Sequence, residues 1–178
     1  MKKYFLIKVM AAIIAVNIGW TLSAQACSEQ LIDQWAARID GSTPESSQIM
    51  KTAVTVAKTC DLNLKIRAAA NFARKIDGTW SYSARLSQEL AKLCAREPSC
   101  ALTLVSAMAH RIDGTWRYSY WIAQSIKSVV VNNPYTPVRD RAIEGISEAV
   151  DPSWTHYANA LYRTINEIAE IKVDENSY

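Results

Sequence analysis

The sequence predicts an all-α fold, a short α-solenoid of four helical hairpins with a repeat of about 37 residues and about eight helices. Three observations predict it. The first is a recurring signature: Ile39-Asp40-Gly41-Ser42, Ile76-Asp77-Gly78-Thr79-Trp80, Ile112-Asp113-Gly114-Thr115-Trp116 and Val150-Asp151-Pro152-Ser153-Trp154, with the aspartates 37, 36 and 38 residues apart. The second is the spacing of apolar residues between signatures. Leu86, Leu90, Leu93 and Cys94 follow one another at intervals suited to one face of a helix, as do Leu102, Val105, Ala109 and Ile112. The third is that turn-forming clusters, Cys60-Asp61, Arg96-Glu97-Pro98-Ser99 and Asn132 to Pro137, fall between signatures and divide each repeat into two helices.

The elements follow in order. The first helix, 28–39, runs into the first signature with Arg38 near its end, and the second, 44–59, stops at Cys60-Asp61. The third, 62–76, ends with Arg74 and Lys75, and the fourth, 79–94, carries the leucine stripe. The fifth, 99–112, ends with Arg111, and the sixth, 116–131, stops before the Asn/Pro cluster. The seventh, 137–150, contains Gly145, read as a close packing point, and the eighth, 152–171, opens at Pro152. The cations just before the first three signatures, Arg38, Arg74, Lys75 and Arg111, complement the negative end of a helix dipole.

Proline fits best at the first position of a helix, which makes Asp151 an N-cap whose carboxylate receives the free amides of the last helix. By register, Asp77 and Asp113 cap in the same way. Because proline holds φ near −65°, the glycine at this position in the other repeats is not required for a left-handed backbone. Capping explains the motif without a metal or phosphate loop.

Residues 1–26 read as a cleaved signal peptide: a cationic start, an apolar stretch from Val9 to Trp20, and Ala24 and Ala26 in an A-x-A arrangement. The apolar stretch falls short of the roughly 20 residues that span a bilayer. Residues 27–178 then form a single helical-repeat domain, exported, and periplasmic if the host is Gram-negative. Cleavage after Ala26 would expose Cys27, although Ala24 and Gln25 fit a lipoprotein signal poorly.

Of 20 basic residues against 17 acidic ones, Lys2, Lys3 and Lys8 lie in the leader, so the remainder is balanced in charge. That balance argues against nucleic acid as a partner, which calls for a clustered positive surplus. Cys27, Cys60, Cys94 and Cys100 are all in the exported part and suggest two disulfides. In the solenoid register all four lie on the edge opposite the signatures, which favours Cys27–Cys60 and Cys94–Cys100. Cys60 with Cys94 is the alternative. A metal site is disfavoured by the absence of a C-x-x-C pair.

Trp80, Trp116 and Trp154 recur at one register position and are expected to pack between repeats. Tyr118, Tyr120 and Trp121, with Arg117 beside them, do not repeat; they supply residue types enriched in interface hot spots and form the candidate binding surface. Neither His110 nor His156 has a visible nucleophile or carboxylate assigned to it. Glu89 with Glu97, or Glu144 with Glu148, read as solvated or salt-bridged side chains before they read as a glycosidase pair. No P-loop, G-x-S-x-G or H-E-x-x-H motif is present.

A period near 37 with paired helices resembles the tetratricopeptide-like class of α-solenoids across nearly the whole exported part. That resemblance implies a scaffold binding peptides or proteins; it brings no catalytic residues and no cofactor. The expected function is a non-enzymatic protein that binds another, unidentified protein. A periplasmic immunity protein blocking a toxin is a specific version, a cell-wall glycan binder or hydrolase is the competing class, and an amphipathic last helix, Pro152 to Ile171, could also support a homodimer.

Overall fold

The computed structural model describes residues 27–174. The leader of the sequence reading lies outside these residues. Eight α-helices are present among them: α1 Glu29–Arg38, α2 Ser46–Ala57, α3 Leu62–Ala73, α4 Ser83–Leu90, α5 Pro98–Ala109, α6 Ser119–Asn132, α7 Thr136–Glu148 and α8 Thr155–Ala169. No strand forms among the described residues; the sole sheet-like contact is an isolated bridge between Tyr135 and Asp174. No helix there is long and apolar enough to cross a membrane.

The helices stack in two layers. In one, α1, α3, α5 and α7 lie side by side, and in the other α2, α4, α6 and α8 do the same, each hairpin joining one layer to the other. This is the solenoid arrangement, in which no single hairpin can bury its own apolar face. The core is continuous from Ile32 in α1 through Phe72, Leu90, Met108 and Ile126 to Ile146 and Leu161, all of them buried.

Local chemistry accounts for several boundaries. Ser28 and Asp61 cap α1 and α3, their side chains accepting the amides of Leu31 at 3.2 Å and Leu64 at 2.9 Å. Pro98 and Pro137 stand in the first turns of α5 and α7, where a missing N–H is harmless. Between α4 and α5 the chain reverses so sharply that Arg96 adopts φ 61°, the one left-handed non-glycine residue among those described.

Both sulfur pairs of the favoured reading lie at bonding distance, Cys27 with Cys60 and Cys94 with Cys100. The first joins the start of α1 to the end of α2. The second closes the α4–α5 turn.

The helices that follow the signatures begin later than expected, α2, α4, α6 and α8 at residues 46, 83, 119 and 155. A compact turn occupies the intervening residues. The last helix turns its apolar face into the stack. Ala158, Leu161, Thr164 and Ile168 are buried within the stack, while Asn159, Tyr162, Arg163 and Asn166 point outward. A largely polar outer face is what a terminal repeat requires.

Candidate binding surface

The signature turns form one edge of the stack and set the positions of the aromatic side chains. In each, the aspartate carboxylate accepts the amide and the hydroxyl of the residue two positions on: Asp77 from Thr79 at 2.9 and 2.7 Å, Asp113 from Thr115 at 3.0 and 2.7 Å, Asp151 from Ser153 at 2.9 and 2.6 Å, and Asp40 from Ser42 at 3.0 and 2.7 Å. These are Asx turns. The N-cap role assigned to Asp77, Asp113 and Asp151 is therefore corrected. The helical N-cap positions belong to Tyr82, Tyr118 and Trp154, none with a side-chain cap bond, because the carboxylate is already committed to the turn.

Those bonds favour the charged form of three of the carboxylates. Asp77, Asp40 and Asp151 all titrate below the usual aspartate value, chiefly through the Thr79, Ser42 and Ser153 donors respectively. Charge from Arg111 adds to the effect at Asp77.

A serine six residues after the aspartate completes the turn. The Ser119 hydroxyl accepts the Asp113 amide at 2.9 Å and donates to the Asp113 carbonyl at 2.6 Å. Ser46 accepts the Asp40 amide at 2.9 Å, and Ser83 donates to the Asp77 carbonyl. All three serines are buried. The fourth repeat has Tyr157 at this position and starts its helix two residues earlier relative to the aspartate. The D-x5-S spacing was present in the sequence, although serine is common enough to pass unnoticed.

Successive turns touch through glycine. A Cβ on Gly78 would stand 2.5 Å from the Arg111 carbonyl oxygen; on Gly41 it would collide with the Lys75 carbonyl, and on Gly114 with the Ala149 carbonyl. None of these glycines has positive φ, so the requirement is room for the next repeat and not backbone freedom. Arg111 strengthens one junction by donating its Nε to the Ile76 carbonyl at 2.7 Å.

The recurring tryptophans stand on this edge. Trp80, Trp116 and Trp154 are 48%, 47% and 50% exposed, so the expectation that they fill the space between repeats is corrected. Glycine and backbone make the junction, and the indoles are left half outside. Trp154 stacks on Tyr157, with ring centroids 6.2 Å apart.

No protein-family model matches the chain. No curated protein and no solved structure matches it either. The surface must be read from its own chemistry.

The non-repeating candidates divide into two groups. Arg117 lies over the Tyr118 ring, 4.7 Å from its centroid, and donates to the Tyr118 hydroxyl at 2.7 Å. On the next turn Tyr120 and Trp121 meet edge to face at 5.2 Å. Trp121 is 45% exposed. It and Tyr120 line an open groove of about 330 Å³ between α4 and α6, shared with Gln88, Lys92 and Gln124.

Three of the four acidic side chains weighed as catalytic pairs are held in ion pairs, which leaves neither pair intact. Glu89 pairs with Lys92 at 2.8 Å, Glu97 with Lys65 at 2.5 Å and Glu144 with Arg141 at 2.6 Å. Glu167, near the aromatic groove, is held charged by Lys127 and then by Gln124. No group of three or more potential metal ligands occurs among the described residues. His110 is the C-cap of α5, and His156 stands in the first turn of α8, where it meets the Tyr157 ring edge to face at 5.5 Å.

Proposed function

We propose that this is an exported, disulfide-stabilised helical-repeat scaffold that binds another protein through the aromatic edge. One observation carries the reading: three half-exposed indoles, Trp80, Trp116 and Trp154, at the same register in successive repeats, with Arg117 and Trp121 exposed close by in sequence. Each indole leaves roughly 100 Å² of apolar surface in water, which would stabilise a complex by about 2.5 kcal/mol on burial. Tryptophan, tyrosine and arginine are the residues that most often dominate interfaces. Export is supported by the A-x-A leader and by the two sulfur pairs, which suit an oxidising compartment.

A second reading has its own support. Tyr120 and Trp121 beside the amides of Gln88 and Gln124 offer ring faces and hydrogen-bonding groups in one groove, a combination suited to a cell-wall glycan.

A pull-down from an exported fraction tests both, with the oxidised protein as bait beside two variants, Trp80→Ala/Trp116→Ala/Trp154→Ala and Tyr120→Ala/Trp121→Ala. A stoichiometric protein lost with the triple variant supports the scaffold. Glycan fragments lost with the double variant support the second reading, and retention of neither sinks both.

A further inference from the structure

The other layer of the stack carries a cavity that the aromatic edge does not use. It measures about 570 Å³, lies across α3, α5 and α7, and is lined by Arg74, Arg111 and Arg141 with no aspartate or glutamate in its wall. Its size falls within the usual range of small-molecule sites. In a chain whose charges balance once the leader is set aside, three guanidinium groups around one cavity are a local surplus.

Two of those groups are held from behind by the fold. Arg111 spends its Nε on the Ile76 carbonyl, and Arg141 gives Nε and Nη2 to the Ser106 hydroxyl at 3.2 and 3.0 Å and Nη1 to Glu144 at 2.6 Å. A guanidinium carries five N–H donors, so each retains donors after these bonds. The Ser106 oxygen accepts from Arg141, which leaves its own proton available to an acceptor in the cavity. Arg74, at the end of α3, is exposed.

Charge and shape narrow the ligand. Glu144 pairs with Arg141 and Asp77 feels the charge of Arg111, but neither carboxylate is in the wall, so the three guanidinium groups leave the lining net positive, which suits a phosphate monoester carrying about −1.5 to −2 at neutral pH. Three guanidinium groups also suit three terminal oxygens better than the two of a carboxylate. The rest of the wall combines apolar Ala70, Ala107 and the 39% exposed Leu102 with polar Thr103, Ser106 and His110. We infer that this cavity binds a phosphate monoester carried on an apolar body, with Arg74, Arg111 and Arg141 around the phosphate and Leu102 against the body.

Calorimetric titration of the purified, oxidised protein with phenyl phosphate tests the inference, with phenol and benzoate as comparisons. Saturable one-to-one binding is expected, at least ten-fold tighter than benzoate and undetectable for phenol. Arg74→Gln, at the exposed C-cap of α3, should weaken phenyl phosphate at least ten-fold with the helical circular dichroism unchanged. Arg139→Gln, on α7 but outside the cavity wall and paired with Asp140, should change it less than two-fold. Phenyl phosphate binding no tighter than phenol or benzoate, or equal losses in the two variants, would overturn the assignment.

Discussion

The α-carbon of Gly78 sits so close to the carbonyl oxygen of Arg111 that an added methyl group would come within 2.5 Å of it. The obstacle is backbone belonging to the next repeat, which cannot swing aside as a flexible side chain could. Gly78→Ala should therefore destabilise the protein by about 2–4 kcal/mol, within the range for overpacking a rigid site. Pro152→Ala, at the same register in the repeat that has no successor, should shift stability by no more than about 1 kcal/mol. Denaturant midpoints of the two variants check the pair.

Ser119→Ala removes both partners of the Asp113 backbone in one step, since a single hydroxyl serves its amide and its carbonyl. The expected loss is about 1–3 kcal/mol for buried polar groups left unmade. Ser81→Ala, an exposed position in the preceding signature turn, serves as the comparison and should change stability by less than about 0.5 kcal/mol.

Trp116→Ala and Leu90→Ala should separate surface from core. Leu90 is fully buried and its truncation should remove about 3–5 kcal/mol, whereas half-exposed Trp116 should remove no more than about 2.5 kcal/mol despite its larger size. A loss at Trp116 equal to that at Leu90 would return the indole to the packing role first expected of it.

Acid should loosen the signature edge. The folded-state pKa of Asp77 is depressed by the Thr79 donors, so its stabilising contribution is present above the ordinary value of 3.8 and is lost as pH falls below it. Asp77→Asn retains an Asx-turn acceptor without the titration. Thermal melts from pH 5 to pH 2 should fall less steeply for this variant than for the parent.

The two sulfur pairs should differ in weight. By loop length alone, Cys27–Cys60 at a separation of 33 residues should contribute about 3.5 kcal/mol and Cys94–Cys100 at a separation of 6 about 2.5 kcal/mol. Paired serine substitutions and denaturant unfolding test the order, and non-reducing peptide mapping tests the pairing itself.

The repeat, the two-layer helical order and the cysteine pairs were legible because each rests on spacing, and spacing survives in a bare sequence. What happens within the signature was not. Asp151-Pro152 suggested a helix cap, yet the second bond of each turn comes from a serine five residues beyond the glycine-side start of the motif, at Ser46, Ser83 and Ser119, where nothing marks it as buried. The tryptophans misled for a related reason: recurrence signals a shared environment, and here that environment is an exposed edge. The arginine-lined cavity draws Arg74, Arg111 and Arg141 from three helices, and the first two had a sufficient explanation in the helix dipole.

The one-way contact of each glycine with the turn that follows it gives the array a direction. Gly41, Gly78 and Gly114 each leave room for a carbonyl of the turn that follows, whereas Pro152 is exposed to solvent. Duplication of an internal unit would keep every glycine facing a carbonyl and could lengthen the protein without disturbing either terminus.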